Sequence, residues 1–486
     1  MSINYPFKKS AENVQEKEFL TISEFRHELG IPLVLAKKLV SWGEVETVKM
    51  IDGTIHVTEN GLLSARKMIE NRRQKMHLFM KALGPGIITG ASDDDPSGIG
   101  TYSSVGAKFG FSILWMAIWL LPVMLAVQEV CARIGIVTNR GLVGVLQEHY
   151  RKKIVGLAVF LLIIANVINI GADLGAMAAS ISILLPVSFY LAVVFFAAVI
   201  IAMEVFIGYH VYVKILKWLT FSVFAYIAAG FMIHPQWLDI FQNIFIPKIH
   251  LSKEYFFAII AVFGTTITPY LFFWQASEEV EECNREGSFK KNLVHHRIHR
   301  MRTDVSTGMI MANVVFFFIV LTTAQILFKN GITNIESVEQ AALALKPFVG
   351  NYAFAFFTLG IVGTGLLAIP VLAASGAYAL SEFMKWHESL ELKFSQAKGF
   401  YLVIIFSILI GMILNFLHIN PILALYYSAF LNGVVALPLL IVIMIVGNDS
   451  KIMDRETHPG WVKFFGWAAV IFLAVALIIS VVLNIV

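Results

Sequence analysis

Long runs of uncharged apolar residues recur along this chain and constrain its fold more than any other feature. Several runs reach 18 residues or more, which is long enough to cross a lipid bilayer as a helix. Only 14% of the 486 residues are charged and 58% are hydrophobic, whereas a soluble globular protein carries roughly 25% charged residues. The sequence therefore predicts an all-α polytopic membrane protein and excludes a soluble enzyme of several domains.

The first 78 residues are polar and predict a separate cytoplasmic module, followed by a transmembrane domain over residues 79–486. The module's pattern predicts, in order, a divided helix, a hairpin and a basic helix, over residues 20–48, 48–57 and 59–73. This order resembles the small winged helix-turn-helix modules of the excisionase and MerR type. A docking or regulatory role is expected, with nucleic-acid binding through residues 1–78 as the alternative. Because this alternative is the weaker one, nucleic acid is not among the expected partners.

Eleven membrane spans are predicted after this module. Of the 37 lysines and arginines, 32 lie in the amino-terminal segment and in the connections after even-numbered spans, and five lie in the other connections. Because cytoplasmic connections are enriched in these residues, the amino terminus is predicted to be cytoplasmic and the carboxyl terminus outside. The predicted spans cover residues 83–111, 112–134, 153–185, 189–208, 214–233, 254–283, 303–328, 351–386, 399–417, 421–446 and 462–485.

The first and sixth spans each contain a polar motif with a proline near the middle. Asp93-Asp94-Asp95-Pro96-Ser97-Gly98 interrupts the first span, and Thr265-Thr266-Ile267-Thr268-Pro269 interrupts the sixth. At roughly 1.5 Å per residue, both motifs lie near the bilayer midplane. The two spans enter from opposite sides, five helices apart. This predicts a LeuT-like inverted repeat of five plus five helices with discontinuous helices one and six, plus an eleventh helix.

Both interruptions offer oxygen atoms to a cation. Proline lacks an N–H group and clashes with the carbonyl four residues earlier, so Pro96 and Pro269 each free one backbone carbonyl. A carboxylate, a hydroxyl and two carbonyls suit Mg²⁺, Ca²⁺ or Mn²⁺, because neither motif contains a sulfur or imidazole ligand. A packing kink is the alternative explanation. The predicted metal ligands are Asp95, Thr268, and the carbonyls of Ser92 and Thr265, with Asp94 along the access path.

Three motifs resemble the natural resistance-associated macrophage protein (NRAMP) family of divalent-metal transporters. They are Gly84-Pro85-Gly86, Asp95-Pro96-Ser97-Gly98 and Arg133-Ile134-Gly135-Ile136-Val137-Thr138, and the resemblance covers roughly residues 83–446. In that family the first span carries Asp-Pro-Gly-Asn and the sixth carries Met-Pro-His. The resemblance implies that Asp95 binds metal, and that Gly98, Thr268 and Tyr270 replace the family's Asn, Met and His.

These replacements favour the NRAMP-related magnesium-transporter branch. The loss of methionine removes a soft sulfur ligand, and glycine at position 98 leaves room for water. Mg²⁺ dehydrates reluctantly and usually keeps several waters, so a wider site with only oxygen ligands suits it. Residues expected beside the ligands or along the pathway are Asp94, Gly98, Asn432, Asp173 and Tyr270.

Proton coupling is expected to be absent, because the resemblance assigns Gln275 and Ala176 to the positions of the family's second histidine and of an acidic residue. Asp173 is retained, on a helix face with Asn166 and Asn169 that is either a polar seam between helices or a proton route. Asn432 lies near the position of a family glutamine, so it contacts either metal or another helix. The glutamates 278, 279, 281 and 282 are expected to form a solvated helix end.

The sequence thus predicts a transporter that imports Mg²⁺, and also Mn²⁺, by alternating access without obligatory proton coupling. The alternatives are a proton-coupled Mn²⁺/Fe²⁺ importer, a carrier of small organic solutes, and a membrane-anchored regulator that acts through the amino-terminal module. The expected partners are the transported metal ion and the lipid bilayer, with no cofactor and no enzymatic activity. The module's similarity to prokaryotic ones favours a bacterial inner membrane, and the sequence leaves the oligomeric state open.

Overall fold

The computed structural model divides into two compact units, Met1–Ala82 and Leu83–Val486. The second unit contains nearly all of the described residues. The residues that the structure describes are 19–29, 33, 36–37, 40, 45, 47–49, 54–58, 60–67, 85–207, 224–233, 235–285 and 293–485.

The first unit contains a three-stranded antiparallel sheet with the order β1-β3-β2. Its elements are β1 (Phe19–Thr21), α1 (Ile22–Leu29), β2 (Thr47–Lys49) and β3 (Ile55–Thr58). The pairing of β2 with β3 confirms the strands of the predicted hairpin. The turn between them, predicted at Asp52-Gly53, lies outside the described residues. Strand β1 corrects the prediction of a helix from residue 20. Thr21 and Glu24 exchange two backbone-to-side-chain hydrogen bonds of 3.0 and 3.3 Å, which start α1 after the strand.

The second unit is built from helices, and nine of those described are long and apolar enough to cross a membrane. The helices are α2 (Pro85–Asp93), α3 (Pro96–Phe109), α4 (Trp115–Thr138), α5 (Leu142–His149), α6 (Lys152–Leu184), α7 (Phe189–Phe206), α8 (Ala225–Met232), α9 (Trp237–Phe245), α10 (Lys253–Thr266), α11 (Pro269–Arg285), α12 (Val294–Ile326), α13 (Val338–Ala342), α14 (Lys346–Val349), α15 (Ala353–Met384), α16 (Lys398–Leu414), α17 (Pro421–Asn448), α18 (Ser450–Met453) and α19 (Gly460–Ile485). Short 3₁₀ turns cover Gly110–Ile113, Phe328–Asn330, Leu343–Leu345, Gly350–Tyr352 and Asn415–Leu417.

Both predicted interruptions are present. The first span consists of α2 and α3, separated by Asp94 and Asp95, and the sixth consists of α10 and α11, separated by Ile267 and Thr268. Each second half begins at a proline, whose missing N–H is no loss in the first turn of a helix. Asp95 has an extended backbone, and the residues of both breaks are buried in the interior of the unit.

The second and seventh predicted spans begin at different residues in the structure, and the fifth is only partly described. The second begins at Trp115 rather than at residue 112, because Gly110 has a φ of 58° and ends the preceding helix. The seventh begins at Val294 rather than at residue 303, since its basic first turns bind other helices through pairs such as Arg302–Glu129. The first half of the predicted fifth span, residues 214–223, lies outside the described residues, and α8 covers Ala225–Met232 of its second half.

Glycines allow the interrupted helices to pack closely against their neighbours. A methyl group on Gly90 of α2 would lie 2.3 Å from the carbonyl oxygen of Gly308 on α12. A methyl group on Gly264 of α10 would lie 2.1 Å from the carbonyl oxygen of Ala429 on α17. Both half-helices therefore contact their neighbours backbone to backbone, which fixes the positions of the two breaks.

Candidate metal-binding site

Asp95 is the N-terminal cap of α3 and lies in the break of the first span. One carboxylate oxygen, Oδ1, accepts hydrogen bonds from the Gly98 backbone N–H (2.6 Å) and from the Ser97 hydroxyl (2.8 Å). The side chain is 2% exposed, so its charge is almost fully removed from solvent. These bonds orient the carboxylate, because a capping aspartate satisfies N–H groups that the helix leaves unpaired. The sequence did not identify Ser97 as a partner of Asp95.

Three oxygen atoms surround the position where Gly98 lacks a side chain. A Cβ atom there would lie 3.0 Å from the carbonyl oxygen of Asp93, 3.4 Å from Asp95 Oδ1 and 3.4 Å from the Thr265 hydroxyl. Oxygens of the two interrupted spans thus lie close together beside Gly98. The structure brings the carbonyl of Asp93 to this space, which the sequence prediction did not include.

The predicted ligands Ser92, Thr265 and Thr268 are all buried, at 2% exposure or less. Their hydroxyl oxygens have no hydrogen-bond partner among the described residues. The backbone carbonyl of Ser92 was predicted to be a free metal ligand. In the structure it instead accepts a hydrogen bond of 2.8 Å from the Tyr270 hydroxyl. Pro96 does free this carbonyl from its helix, but a side chain of the other interrupted span has become its partner.

Asp93 and Asp94 are also buried, with exposures of 1% and 5%. Both carboxylate oxygens of Asp93, and Oδ1 of Asp94, have no hydrogen-bond partner in the described part of the chain. The buried cationic side chains of that part are Arg133, which pairs with Glu129, and Arg297, which donates to a backbone carbonyl. Buried charges without a partner are costly, so this concentration of carboxylates requires a cation or protons.

The third span contributes Asn169, a residue that the sequence placed on a polar face without linking it to Asp95. Its amide donates to Asp95 Oδ2 (3.2 Å) and to Asp173 Oδ2 (3.1 Å), and its own oxygen accepts from the Asn432 amide (3.0 Å). Asn432 therefore makes the contact between helices that was one of its two predicted roles. The four-residue spacing of Asn169 and Asp173 was the sequence pattern that could have identified this network.

Gln275 stands where the family resemblance places a histidine. It accepts a hydrogen bond of 2.5 Å from the Thr89 hydroxyl of α2 and donates one of 2.9 Å to Glu279. Glu278 and Glu279 are 3% and 5% exposed, so the predicted solvated helix end is wrong for these two residues. Packing of α11 against α4 and α15 buries them.

A cavity of about 560 Å³ lies where α5, α11 and α15 end, lined by carboxylates that include Glu281, Glu382 and Glu388. Glu281 accepts from the Leu390 N–H (3.1 Å), and Glu382 from the Gly144 N–H (2.9 Å). Burial and the charges of Glu382 and Glu281 raise the pKa of Glu388 to about 9. This carboxyl is therefore protonated at neutral pH.

No group of three or more histidine, cysteine, aspartate or glutamate side chains arranged to hold a metal occurs in the ranges that the structure covers. A cation between the interrupted spans would instead have a few oxygens of mixed kinds, from carboxylate, hydroxyl and carbonyl groups. Such a site has few charged ligands and leaves positions open to water, which suits reversible binding of a hard cation.

A bundle of apolar helices, with two interrupted helices whose polar breaks meet in its interior, defines a membrane transporter. The chain belongs to the family described as natural resistance-associated macrophage protein-like, which matches residues 86–483. Members of this family are transporters, so the chain is a transporter and not an enzyme, and a metal ion is its cargo rather than a cofactor.

Several relatives have names that state a function. Two of them are divalent metal cation transporters MntH from Klebsiella pneumoniae, strains ATCC 700721 / MGH 78578 and 342. Each is 24% identical to this chain over 415 residues, which cover 84% of this chain and 95% of the relative. The manganese transporter of Eremococcus coleocola, solved with an aromatic bis-isothiourea compound, has a TM-score of 0.67 at 16% identity, covering 83% of this chain and 86% of that one. This likeness confirms the predicted fold, two inverted five-helix repeats with discontinuous first and sixth helices.

Proposed function

We propose that this divalent metal cation transporter imports Mg²⁺ as its main substrate and Mn²⁺ as a second one, by alternating access. The observation that carries the proposal is the oxygen-lined space at Gly98, between Asp95 of the first interrupted span and Thr265 of the sixth. The proposed ligands are Asp95, Thr268, Thr265 and backbone carbonyls, with Asp94, Asp173 and Asn432 nearby or along the pathway.

The chemical nature of these ligands supports a hard cation. Carboxylate, hydroxyl and carbonyl oxygens suit Mg²⁺ and Mn²⁺, whereas a thioether at position 268 would favour softer transition metals. Thr268 is 1% exposed and its hydroxyl has no hydrogen-bond partner among the described residues, so it is available to a cation or to a bound water.

The absence of a side chain at position 98 supports a cation that keeps part of its water. A Cβ atom there would lie 3.0 to 3.4 Å from three protein oxygens. Glycine therefore leaves the room beside these oxygens to bound water, which a larger residue would fill. Because Mg²⁺ gives up water reluctantly, this arrangement favours it over ions that require complete dehydration.

The membrane potential is the proposed driving force, without obligatory proton coupling. It supplies about 2.3 kcal/mol per charge per 100 mV, and twice that for a divalent ion. Gln275, which does not titrate, occupies the position of a family histidine and is held by Thr89 and Glu279. Histidine is the side chain that most readily exchanges protons near neutral pH, so its replacement supports uncoupled transport.

A proton-coupled Mn²⁺ importer is the second candidate. The names of the Klebsiella and Eremococcus proteins favour it, because they refer to divalent metal cations or manganese. Asp173 is buried and its Oδ1 has no hydrogen-bond partner in the described part of the chain, so it is the group that would carry a proton. Metal-driven acidification of vesicles, followed with a pH-sensitive dye, distinguishes the two candidates: strict coupling supports the second and overturns the first.

The proposed setting is a bacterial inner membrane, with a cytoplasmic amino terminus and the carboxyl terminus outside. Residues 1–78 are proposed as a cytoplasmic module that transport does not require, and residues 79–486 as the transport domain. Removal of residues 1–78 should therefore leave Mg²⁺ flux intact. Loss of flux, with the truncated chain still inserted in the membrane, would instead favour a role for the module in transport.

Thr268→Met tests the oxygen-site proposal, because it adds a sulfur ligand at the break of the sixth span. In proteoliposomes we expect Mg²⁺ uptake to fall and Cd²⁺ or Mn²⁺ uptake to rise relative to it. Thr266→Met, one turn away from the proline, is the matched control, since its hydroxyl already donates to the Val262 carbonyl at 2.9 Å. An unchanged order of metals in Thr268→Met would contradict a ligand role for Thr268.

A further inference from the structure

Tyr270 connects the two interrupted spans through a single hydrogen bond. It is the second residue of α11 and is 1% exposed. Its hydroxyl donates to the backbone carbonyl of Ser92 over 2.8 Å, between residues 178 positions apart in the chain. Ser92 lies in the last turn of α2, immediately before the three aspartates.

This carbonyl is the one that proline chemistry makes available to a cation. Pro96 has no N–H to donate to the residue four positions earlier, so the Ser92 oxygen needs another partner. In a transporter with a break of this kind, the cation itself can be that partner. Here the Tyr270 hydroxyl is already the hydrogen-bond partner of the Ser92 carbonyl. The phenol oxygen donates its proton in this bond and can still accept a hydrogen bond from water.

We propose that Tyr270 determines metal specificity by keeping the Ser92 carbonyl out of the cation's inner coordination shell. The inference rests on the proposed metal site and adds a reason for its selectivity. With one backbone ligand fewer, the ion retains a water at that position, which disfavours ions that bind many protein oxygens directly. Ca²⁺ takes six to eight oxygen ligands, whereas Mg²⁺ usually keeps several waters, so Tyr270 selects for Mg²⁺ against Ca²⁺.

Tyr270→Phe removes only the hydroxyl and leaves the ring in place. The measurement is the ratio of the Ca²⁺ inhibition constant to the Mg²⁺ KM, determined for uptake into proteoliposomes. The ratio should fall about fivefold in the variant, because the freed carbonyl becomes a direct ligand that Ca²⁺ uses better than Mg²⁺. The maximal Mg²⁺ rate should change less than this ratio.

Tyr255→Phe is the matched control. Tyr255 is also a buried tyrosine of the sixth span, and its hydroxyl also donates to backbone carbonyls, those of Ser112 and Lys248, at 3.1 and 3.0 Å. It lies in the first turn of α10, away from the break. This variant should lose some thermal stability and keep the wild-type metal ratio.

The outcomes separate this inference from the proposed function. If wild-type vesicles take up no Mg²⁺, the proposed function itself is wrong. If wild-type uptake is normal and the metal ratio of Tyr270→Phe is unchanged, or shifts no more than that of Tyr255→Phe, the role of Tyr270 is overturned while the metal site stands.

Discussion

The side-chain amide of Asn169 lies between two buried carboxylates, 3.2 Å from Asp95 Oδ2 and 3.1 Å from Asp173 Oδ2. All three residues are 2% exposed or less. The third span thereby holds the carboxylate of the first interrupted span in one orientation. Asn169 also links Asp95 to Asp173, whose helix face is predicted to be either a polar seam or a proton route.

Asn169→Ala should weaken Mg²⁺ binding. It removes a donor to a buried carboxylate, a bond worth about 1.5–3 kcal/mol, so the Mg²⁺ KM should rise about tenfold or more. Asn166→Ala is the control one turn away, because its amide donates to the Leu372 carbonyl and the Ser375 hydroxyl instead. Equal effects of the two substitutions on KM would show that Asn169 acts only through the packing of its helix.

Gly98→Ala should reduce Mg²⁺ uptake by filling the space between the interrupted spans. The added methyl group would lie 3.0–3.4 Å from three oxygens, tighter than ordinary van der Waals contact, and would crowd the proposed ligands Asp95 and Thr265. We expect the Mg²⁺ KM to rise about fivefold to tenfold in flux assays. Gly376→Ala serves as the control, since its nearest neighbour would be the Asn166 amide at an ordinary 3.5 Å.

Asp304→Ala should destabilise the first half of the first span. The Asp304 carboxylate accepts hydrogen bonds from the Gly86 and Ile87 N–H groups, at 2.6 and 3.2 Å, and so caps α2 from α12. Its loss should cost about 1–2 kcal/mol, visible as a lower melting temperature in detergent. Thr303→Ala, at the half-buried neighbouring position of α12, should lower the melting temperature much less. An equal drop would argue against the cap.

His458 should make the protein sensitive to acid. Burial and the nearby cations Arg133 and Lys463 lower the pKa of this histidine from 6.5 to about 3. Below pH 6.5 the unfolded chain protonates this histidine, whereas the folded state keeps the ring neutral. The stabilising contribution of His458 is therefore present above pH 6.5 and is lost as the pH falls towards 3.

The measurement is the melting temperature between pH 7 and pH 5. His458→Gln should flatten the decrease over this range, whereas substitution of the exposed His296 by glutamine should leave its slope as in the wild type. An identical slope in the His458 variant would mean that other groups cause the acid sensitivity.

The membrane fold was predictable because its causes are local. Apolar run length defines the spans, and Pro96 and Pro269 mark where two of them break, so both interruptions appear within a residue or two of their predicted positions. The predicted helix boundaries were less accurate where contacts with other helices determine them. Arg302 extends α12 by pairing with Glu129, and no local pattern reveals that partner.

The connections within the candidate site could not be predicted. The Thr265 hydroxyl lies near Gly98, whereas the prediction named the Thr265 carbonyl as a ligand. The Tyr270–Ser92 and Asn169–Asp95 bonds join segments that are far apart in the chain. Hydrophobic periodicity indicates which face of a helix is buried. It does not indicate which buried polar groups pair with each other, because that depends on how whole helices pack. The burial of Glu278 and Glu279 follows from the same packing.

Mg²⁺ influx into proteoliposomes that contain wild-type protein or Asp95→Ala tests the central claim most directly. The control is Asp239→Ala, which changes an exposed aspartate of α9. The proposed oxygen site predicts saturable Mg²⁺ uptake that Mn²⁺ inhibits, that Asp95→Ala abolishes and that Asp239→Ala retains. Uptake of Mn²⁺ with neither transport of Mg²⁺ nor competition by it would contradict the claim and support the proton-coupled manganese importer.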